Sequence, residues 1–511
     1  MEKLERRVHL SPHGSTNPFF HKVTMSRFQR IRGLILGSFL FPVRLVLVIF
    51  FFLLMWPLAR LRLAGLSAED RARPVTGWRR WLFHPMVWLL SRAVFFSLGF
   101  VWVRVKGRRA DLKDAPVLVV APHSTFLDML VLCTTQLPTV VSRSENTSLP
   151  VIGALLEFNQ SVLVSRSDPD SRKKAAAQLT ERITSNGYWP QTLMFPEGTT
   201  TNGSALIKFK PGAFLCGVPV QPVLLRYPNK LDTVRWTYKG TTWVEALWHT
   251  TSQLYTNMTV EFLPVYHPSP EERNDPNLFA DNVQKLMAKA LGVPATDYVM
   301  EGGVPVQRVG HLSLPLPSPG REALTLLRKA GLQASEMEAA LDRMIDKCQS
   351  GSTLVGAEEL SSLLGLADRQ TAERVCGLYS ELALSGGFQE KVVDLRRIYL
   401  NMAALSGLVD IQSLLRTAFN LFDEEGKGSL SADDLSGLMG ALLGLRQHHT
   451  AQLYSEVSSG GQLSQDDLVR ALMSHPTYQK VMSEHLQPGW ATRPLLVNNN
   501  GIMLNGNKKV I

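Results

Sequence analysis

Hydrophobic and polar positions divide the chain into regions with different periods. Residues 1–33 are polar and basic, and Leu34 to Leu58 is then almost wholly apolar, interrupted by Pro42 and Arg44. A helix of that length can cross a hydrocarbon core of about 30 Å. The polar stretch before it and the lack of a small-residue cleavage site after it predict a membrane anchor rather than a signal peptide. A second apolar stretch, residues 81–103, carries His84, Ser91 and Arg92 and is expected to be an interfacial or second membrane helix. Basic residues flank both ends of the first stretch, with Lys22, Arg27, Arg30 and Arg32 before it and Arg60, Arg62, Arg71, Arg73, Arg79 and Arg80 after it. Such symmetry predicts a hairpin dipping into the membrane from one side, with a single-pass anchor and luminal body as the alternative.

Between residues 104 and 311 short apolar runs alternate with polar, helix-forming segments, the pattern of an α/β domain. Pro116–Ala121, Val140–Arg143, Ser161–Arg166 and Leu193–Phe195 read as buried strands, and Asp168-Pro169-Asp170-Ser171 opens a helix to about Ser185. A Pro/Gly-rich stretch at 312–320 predicts a linker. From 321 to 487 the apolar residues take helical spacing, as in Leu414-Leu415-Ala418-Phe419-Phe422. The tail from 488 to 511 is Asn-rich and is expected to lack a packed core.

The length of 511 residues suits two to four domains. A formal charge of +10 fits nucleic acid or an anionic lipid surface. No nucleic-acid motif accompanies it, so the apolar segments decide for lipid. Four cysteines, at 133, 216, 348 and 376, lack metal-site or disulfide-framework spacing and fit a reduced, cytosolic body. Three glycosylation sequons begin at Asn146, Asn202 and Asn257, and a glycan on Asn202 would stand beside the chemistry described next.

That chemistry begins at Pro122-His123-Ser124-Thr125-Phe126-Leu127-Asp128, directly after an apolar strand. Residues five apart do not share a face of a helix, so His123 and Asp128 meet only across a strand-to-helix turn. There Asp128 can accept the imidazole N–H, fix the tautomer and leave the other ring nitrogen as a general base. An HxxxxD pattern by itself is weak, and a surface histidine beside a helix-capping aspartate explains it equally. Some seventy residues later, Leu193-Met194-Phe195-Pro196-Glu197-Gly198-Thr199-Thr200 repeats the layout of a strand ending in a polar turn. Two such turns belong together at the carboxyl ends of parallel strands.

The two boxes together resemble the glycerolipid acyltransferase family. Val164–Asp168, Phe209–Phe214, Val218–Val223 and Arg226–Lys230 are similar to the lysophosphatidylcholine acyltransferases, especially subtype 2 and its 2B branch, which also handle lyso-platelet-activating factor. The likeness spans roughly residues 30 to 480. It implies an acyltransferase domain with a mixed central sheet, with His123 as base and Asp128 as its partner. It also implies that Glu197, Gly198 and Thr199 shape the substrate pocket and that Arg166 holds a phosphate. Acyl-CoA or acetyl-CoA would be the co-substrate and a lysophospholipid the acceptor. Relatives often carry Arg or Cys after Glu-Gly-Thr and Asn-Arg shortly after, where this chain has Thr200 and Asn202-Gly203. Losing a bidentate arginine weakens capture of a phosphate. That loss counts against lysophosphatidic acid acylation, the second enzyme reading beside lysophosphatidylcholine or lyso-platelet-activating-factor acylation, because a phosphomonoester needs stronger cationic capture, and it leaves a weakened membrane scaffold as the alternative of a different class.

Two further signals lie in the C-terminal third. Residues 423–434 outline an EF-hand loop, with Asp423, Glu425, Ser429 and Asp434 as candidate calcium ligands. Lys427 stands where an oxygen is needed and Asp434 is shorter than the usual Glu, so calcium binding is expected to be weak or absent. Lys508 and Lys509, third and fourth from the last residue given, resemble a dilysine signal read by cytosolic coat proteins. That resemblance implies the endoplasmic reticulum membrane, with the Golgi and lipid droplets as further compartments.

Overall fold

The computed structural model describes residues 17–165, 168–310, 312–351, 353–380, 392–444, 450–458, 462–484 and 486. The chain divides into two compact units, residues 1–299 and 300–511. Each is described by itself.

The first unit is built on a seven-stranded sheet: β1 (Val103–Lys106), β2 (Val117–Ala121), β3 (Thr139–Arg143), β4 (Val162–Val164), β5 (Thr192–Met194), β6 (Val220–Arg226) and β7 (Met258–Phe262). Their order across the sheet is β1-β7-β6-β2-β5-β3-β4. All neighbours are parallel except β6 and β7. The sheet is therefore mixed, as the family resemblance implied. All five residues of β2 are buried, as expected for a central parallel strand covered on both faces. One face packs under the helices Pro169–Ile183 and Pro276–Leu291 through Leu179, Phe279, Val283 and Met287. The other packs against Phe100, Leu127, Leu130 and Val131. The helix predicted from Asp168 runs from Pro169 to Ile183, with the Asp168 carboxylate capping it by accepting from Asp170 N at 2.9 Å.

The first apolar stretch lies in helix α1, Arg27–Leu63, the one helix among the described residues that is long and apolar enough to cross a membrane. The second lies in α2, Gly77–Ser97. Arg79 donates to the Arg62 carbonyl at 2.8 Å while Ser91 Oγ donates to Met55 Sδ at 3.3 Å, so the helices run antiparallel as a hairpin. Their shared core includes Val48, Met55, Ala59, Phe83, Val87 and Val94.

Arg44, the charge inside the apolar run, has a structural purpose. Its guanidinium donates to the carbonyls of Thr251 and Gln253, both at 2.8 Å, and of Leu254 at 2.7 Å. These carbonyls lie at and just beyond the C-terminal end of the helix Trp243–Thr251, where peptide oxygens are left unpaired. Phe41 stacks near Trp248 with centroids 5.1 Å apart, and Arg60 pairs with Glu157 at 2.6 Å. One side of α1 is thus fastened to the rest of the first unit at two levels. Phe28, Leu34, Ile35, Phe39, Val46 and Leu53 remain exposed.

The second unit is helical. It contains four helix–strand–helix segments, whose two-residue strands pair antiparallel as Leu354–Val355 with Val393–Asp394 and Ser429–Leu430 with Leu463–Ser464. One buried cluster runs through it, including Leu327, Met344, Leu360, Ile398, Leu414, Phe419 and Leu438. Residues 312–320 differ from the linker expected of them. Leu312–Pro315 forms a strand paired with Val304–Val309, and Pro319 starts a helix. Leu312 and Leu314 alternate with Ser313 and are buried, a period-two pattern that the prolines hide. The division between units falls earlier, after Val299.

Candidate active site

β2 ends at Ala121 and delivers His123 into a short 3-10 helix, Phe126–Leu130, so the turn required by the five-residue spacing is present. His123 Nδ1 lies 2.8 Å from Asp128 Oδ2. A carboxylate only accepts, so Nδ1 carries the proton and Nε2 holds the free lone pair. Asp128 is fully buried, and the same oxygen accepts from Ser124 N at 2.6 Å and Thr125 N at 3.0 Å. His123 keeps 18% of its side chain exposed, enough for a substrate to reach it. The predicted pair is therefore assembled, and Asp128 serves both in the helix capping box and as partner of the His123 ring.

A third member was not predicted. The Tyr227 hydroxyl donates to the other carboxylate oxygen of Asp128. Burial, with the Asp128 charge beside it, raises the phenol well above its ordinary value, so it stays a donor. The parallel register pairs Ala121 with Leu224, which puts Tyr227 opposite Ser124, just past the end of β6. The buried run 220–226 ending in Tyr227 was the available signal, but only its position next to β2 gives it meaning.

The second box is also brought to the turn. Glu197 is 1% exposed, and its two oxygens accept from His123 N at 2.6 Å and Ile207 N at 3.3 Å. It holds the backbone of His123. Phe195 stacks on the His123 ring at 4.3 Å between centroids, and Thr201 N donates to the His123 carbonyl at 2.7 Å. Gly198 has φ +65°, and a Cβ there would lie 3.1 Å from Lys210 Nζ, so a side chain would be strained and would crowd that lysine. Thr199 is half-buried beside it. Arg166 lies outside the described residues. Arg143 is exposed at the end of β3, and Lys208 is paired with Asp281 at 3.2 Å and Asp297 at 3.7 Å. The Asn202 amide nitrogen donates to the carbonyls of Asn17 at 3.0 Å and Phe20 at 2.8 Å.

Burial pushes the Glu197 carboxyl up to about 8, against the two backbone N–H groups that favour its ionised form, with the Asp128 charge raising it further. Between the usual carboxyl value of about 4.3 and 8, the folded state holds a proton that the unfolded state has lost. Stability contributed by that proton is complete at low pH and declines as pH rises through this window. Glu197→Gln is expected to flatten the fall of melting temperature between pH 5 and 8, as read by thermal denaturation across a pH series. An unchanged slope would mean that Glu197 titrates normally.

In the other unit, the candidate calcium ligands are already engaged. Asp423 accepts from the backbone of Lys427 at 2.9 Å and Gly428 at 2.7 Å, and Glu425 pairs with the Lys427 ammonium. Asp434 accepts from Ser431 N at 2.9 Å and Oγ at 2.7 Å as part of a capping box. Ser429 sits in the short ladder opposite Ser464.

Residues 102–226, which contain β2 to β6 and both boxes, match the family described as Acyltransferase. The lysophospholipid acyltransferase LPCAT4 of Xenopus tropicalis is 45% identical over 495 residues, 95% of this chain and 93% of that protein. The chain belongs to the lysophospholipid acyltransferase family. Human lysophosphatidylcholine acyltransferase 2 is 39% identical over 94% of this chain and 88% of its own length. The rat 2B protein is 36% identical over 93% of this chain and 91% of its own. The motif strings pointed toward subtype 2, while identity is higher to the LPCAT4 protein. Membership makes the chain an acyl-transferring enzyme, with the His123 and Asp128 pair at the carboxyl end of β2.

Proposed function

We propose that this enzyme transfers an acyl or acetyl group from acyl-CoA to the free sn-2 hydroxyl of a lysophospholipid such as lysophosphatidylcholine or lyso-platelet-activating factor, at a cytosolic membrane face. The observation that carries the reading is the His123–Asp128–Tyr227 array. Nε2 takes the proton of the acceptor hydroxyl as its oxygen attacks the thioester carbonyl. The C–S bond breaks as the ester forms, and the proton ends on the departing CoA thiolate. Asp128 stabilises the imidazolium that exists between these steps. Direct transfer is favoured over an acyl-enzyme because no GxSxG nucleophile motif stands near this site in the sequence.

The hairpin of α1 and α2 supports attachment from one side of the bilayer. α1 is held along one face by the catalytic unit, and its exposed face, with Trp78, Trp81 and Leu89 of α2, is apolar. An all-α EF-hand-like domain follows, and its Lys427-filled loop supports function without calcium. Retrieval to the endoplasmic reticulum would rest on Lys508 and Lys509, which lie outside the described residues.

The test is acyl transfer by the membrane-bound protein with acetyl- and palmitoyl-CoA, offered lysophosphatidylcholine, lyso-platelet-activating factor and lysophosphatidic acid, in calcium or chelator. Lysophosphatidylcholine or lyso-platelet-activating factor is expected to be used in preference to lysophosphatidic acid, at rates that calcium does not change. A lysophosphatidic acid preference would replace the proposed substrate. No transfer to any lipid would turn the assignment toward a scaffold.

A further inference from the structure

The sequence lacks the arginines that relatives often place after Glu-Gly-Thr and Asn, and the fold supplies one from elsewhere. Beyond Tyr227 the chain crosses back over the His123 turn, where Trp236 N donates to the Ser124 carbonyl at 3.0 Å and the Trp236 ring meets Phe126 at 6.1 Å. The residue before this anchor is Arg235. A Cβ built on Gly203, which has φ +67°, would lie 2.6 Å from Arg235 Nη1 and 3.4 Å from Pro122 Cγ. The guanidinium thus fills the space above Gly203, beside the residue preceding the base.

Three further observations describe this group. Asp232 accepts from Arg235 Nε, which fixes the plane of the guanidinium. Arg235 Nη1 is buried without a hydrogen-bond partner, and so is the hydroxyl of Ser204, the neighbour of Gly203. Unsatisfied buried donors of this kind are costly and call for a partner. The side chain as a whole is 22% exposed. Lys208, the other cation considered nearby, is already paired with two aspartates.

We propose that Arg235 is a substrate-binding and specificity-determining residue that captures a phosphate of the substrate beside His123, with Asp232 as its positioning residue and Ser204 as a second donor. A planar guanidinium held at Nε presents its terminal nitrogens to two phosphate oxygens, which an ammonium cannot match. The phosphate belongs either to the lysolipid head group or to coenzyme A. This inference rests on the acyltransferase reading.

The experiment measures initial rates of the full-length protein in vesicles, varying lysolipid and acyl-CoA separately, for wild type, Arg235→Gln, Arg235→Lys and His123→Ala. Arg235→Gln is expected to raise KM about tenfold or more for one of the two substrates, leaving kcat within about threefold, since hydrogen bonds to charged groups contribute about 1.5–3 kcal/mol. Arg235→Lys should recover part of that loss, because it restores the charge without the fork. If the lysolipid KM moves, the phosphate is the head group's, and if the acyl-CoA KM moves, it is the coenzyme's. Unchanged KM values for both substrates would overturn the proposal. So would a loss confined to kcat that lysine does not recover, because that would mark a structural role. Should Arg235→Gln fail to fold, wild-type KM for one substrate should still rise with ionic strength and KM in Arg235→Lys should exceed it; equal values would sink the idea. Wild-type transfer that depends on His123 alongside an indifferent Arg235 would defeat this inference alone, whereas no wild-type transfer would defeat the reading beneath it.

Discussion

His123→Ala is expected to lower acyl transfer about 10²- to 10⁴-fold, the usual contribution of a positioned general base. The loss should fall on kcat. The ring touches Phe195 and Asp128. Removing it leaves Asp128 with the Ser124, Thr125 and Tyr227 donors, so the turn retains its internal bonds. Melting temperature should consequently change little, as expected for a side chain that is 18% exposed and makes one side-chain hydrogen bond, to Asp128. Saturation kinetics with circular dichroism melting would check both halves. Transfer within about threefold of wild type, from a folded protein, would remove His123 from the mechanism.

Asp128→Asn should cost about 10²-fold or more in kcat, for a different reason. An amide can be accommodated with its oxygen accepting from His123, Ser124 and Thr125 and its NH₂ donating to the Tyr227 hydroxyl, which can accept as well as donate. The hydrogen-bond frame survives, but the negative charge facing the imidazolium is gone, and it is that charge which is needed midway through transfer. Asp128→Ala should instead lower stability as well, because it strips partners from two backbone N–H groups and from the buried Tyr227 hydroxyl, at about 1–3 kcal/mol for each donor left unpaired. Measuring kcat and urea unfolding on both variants separates charge from scaffold. An Asn variant with near-normal kcat would show that the imidazolium is stabilised by something other than Asp128.

Much of this arrangement was written in local pattern. The buried run 116–121 followed by His123 and Asp128 permits one geometry, a strand delivering two side chains across a turn, because side chains five apart on a helix diverge. The helix from Asp168 and the apolar lengths of α1 and α2 were legible for the same reason: caps, prolines and periodicity act over a few residues.

What only the tertiary structure decided concerns residues far apart in the chain. Tyr227 reaches Asp128 from 99 positions away because β6 lies beside β2 in parallel register, an adjacency that no local pattern encodes. Glu197 accepts from the backbone of His123, 74 positions away, a contact that follows from how two turns close on each other. Arg44 proved to cap a helix begun some two hundred residues later, where the apolar run around it had suggested only an interruption. Arg235 came to lie over Gly203 through the return of its loop across the His123 turn. The sequence by itself determined the family and the pairing of His123 with Asp128, since that pairing depends on neighbours within one turn. Side-chain roles that depend on burial and long-range adjacency were decided by the packed sheet, because desolvation and hydrogen-bond partnership are properties of the fold rather than of the residue.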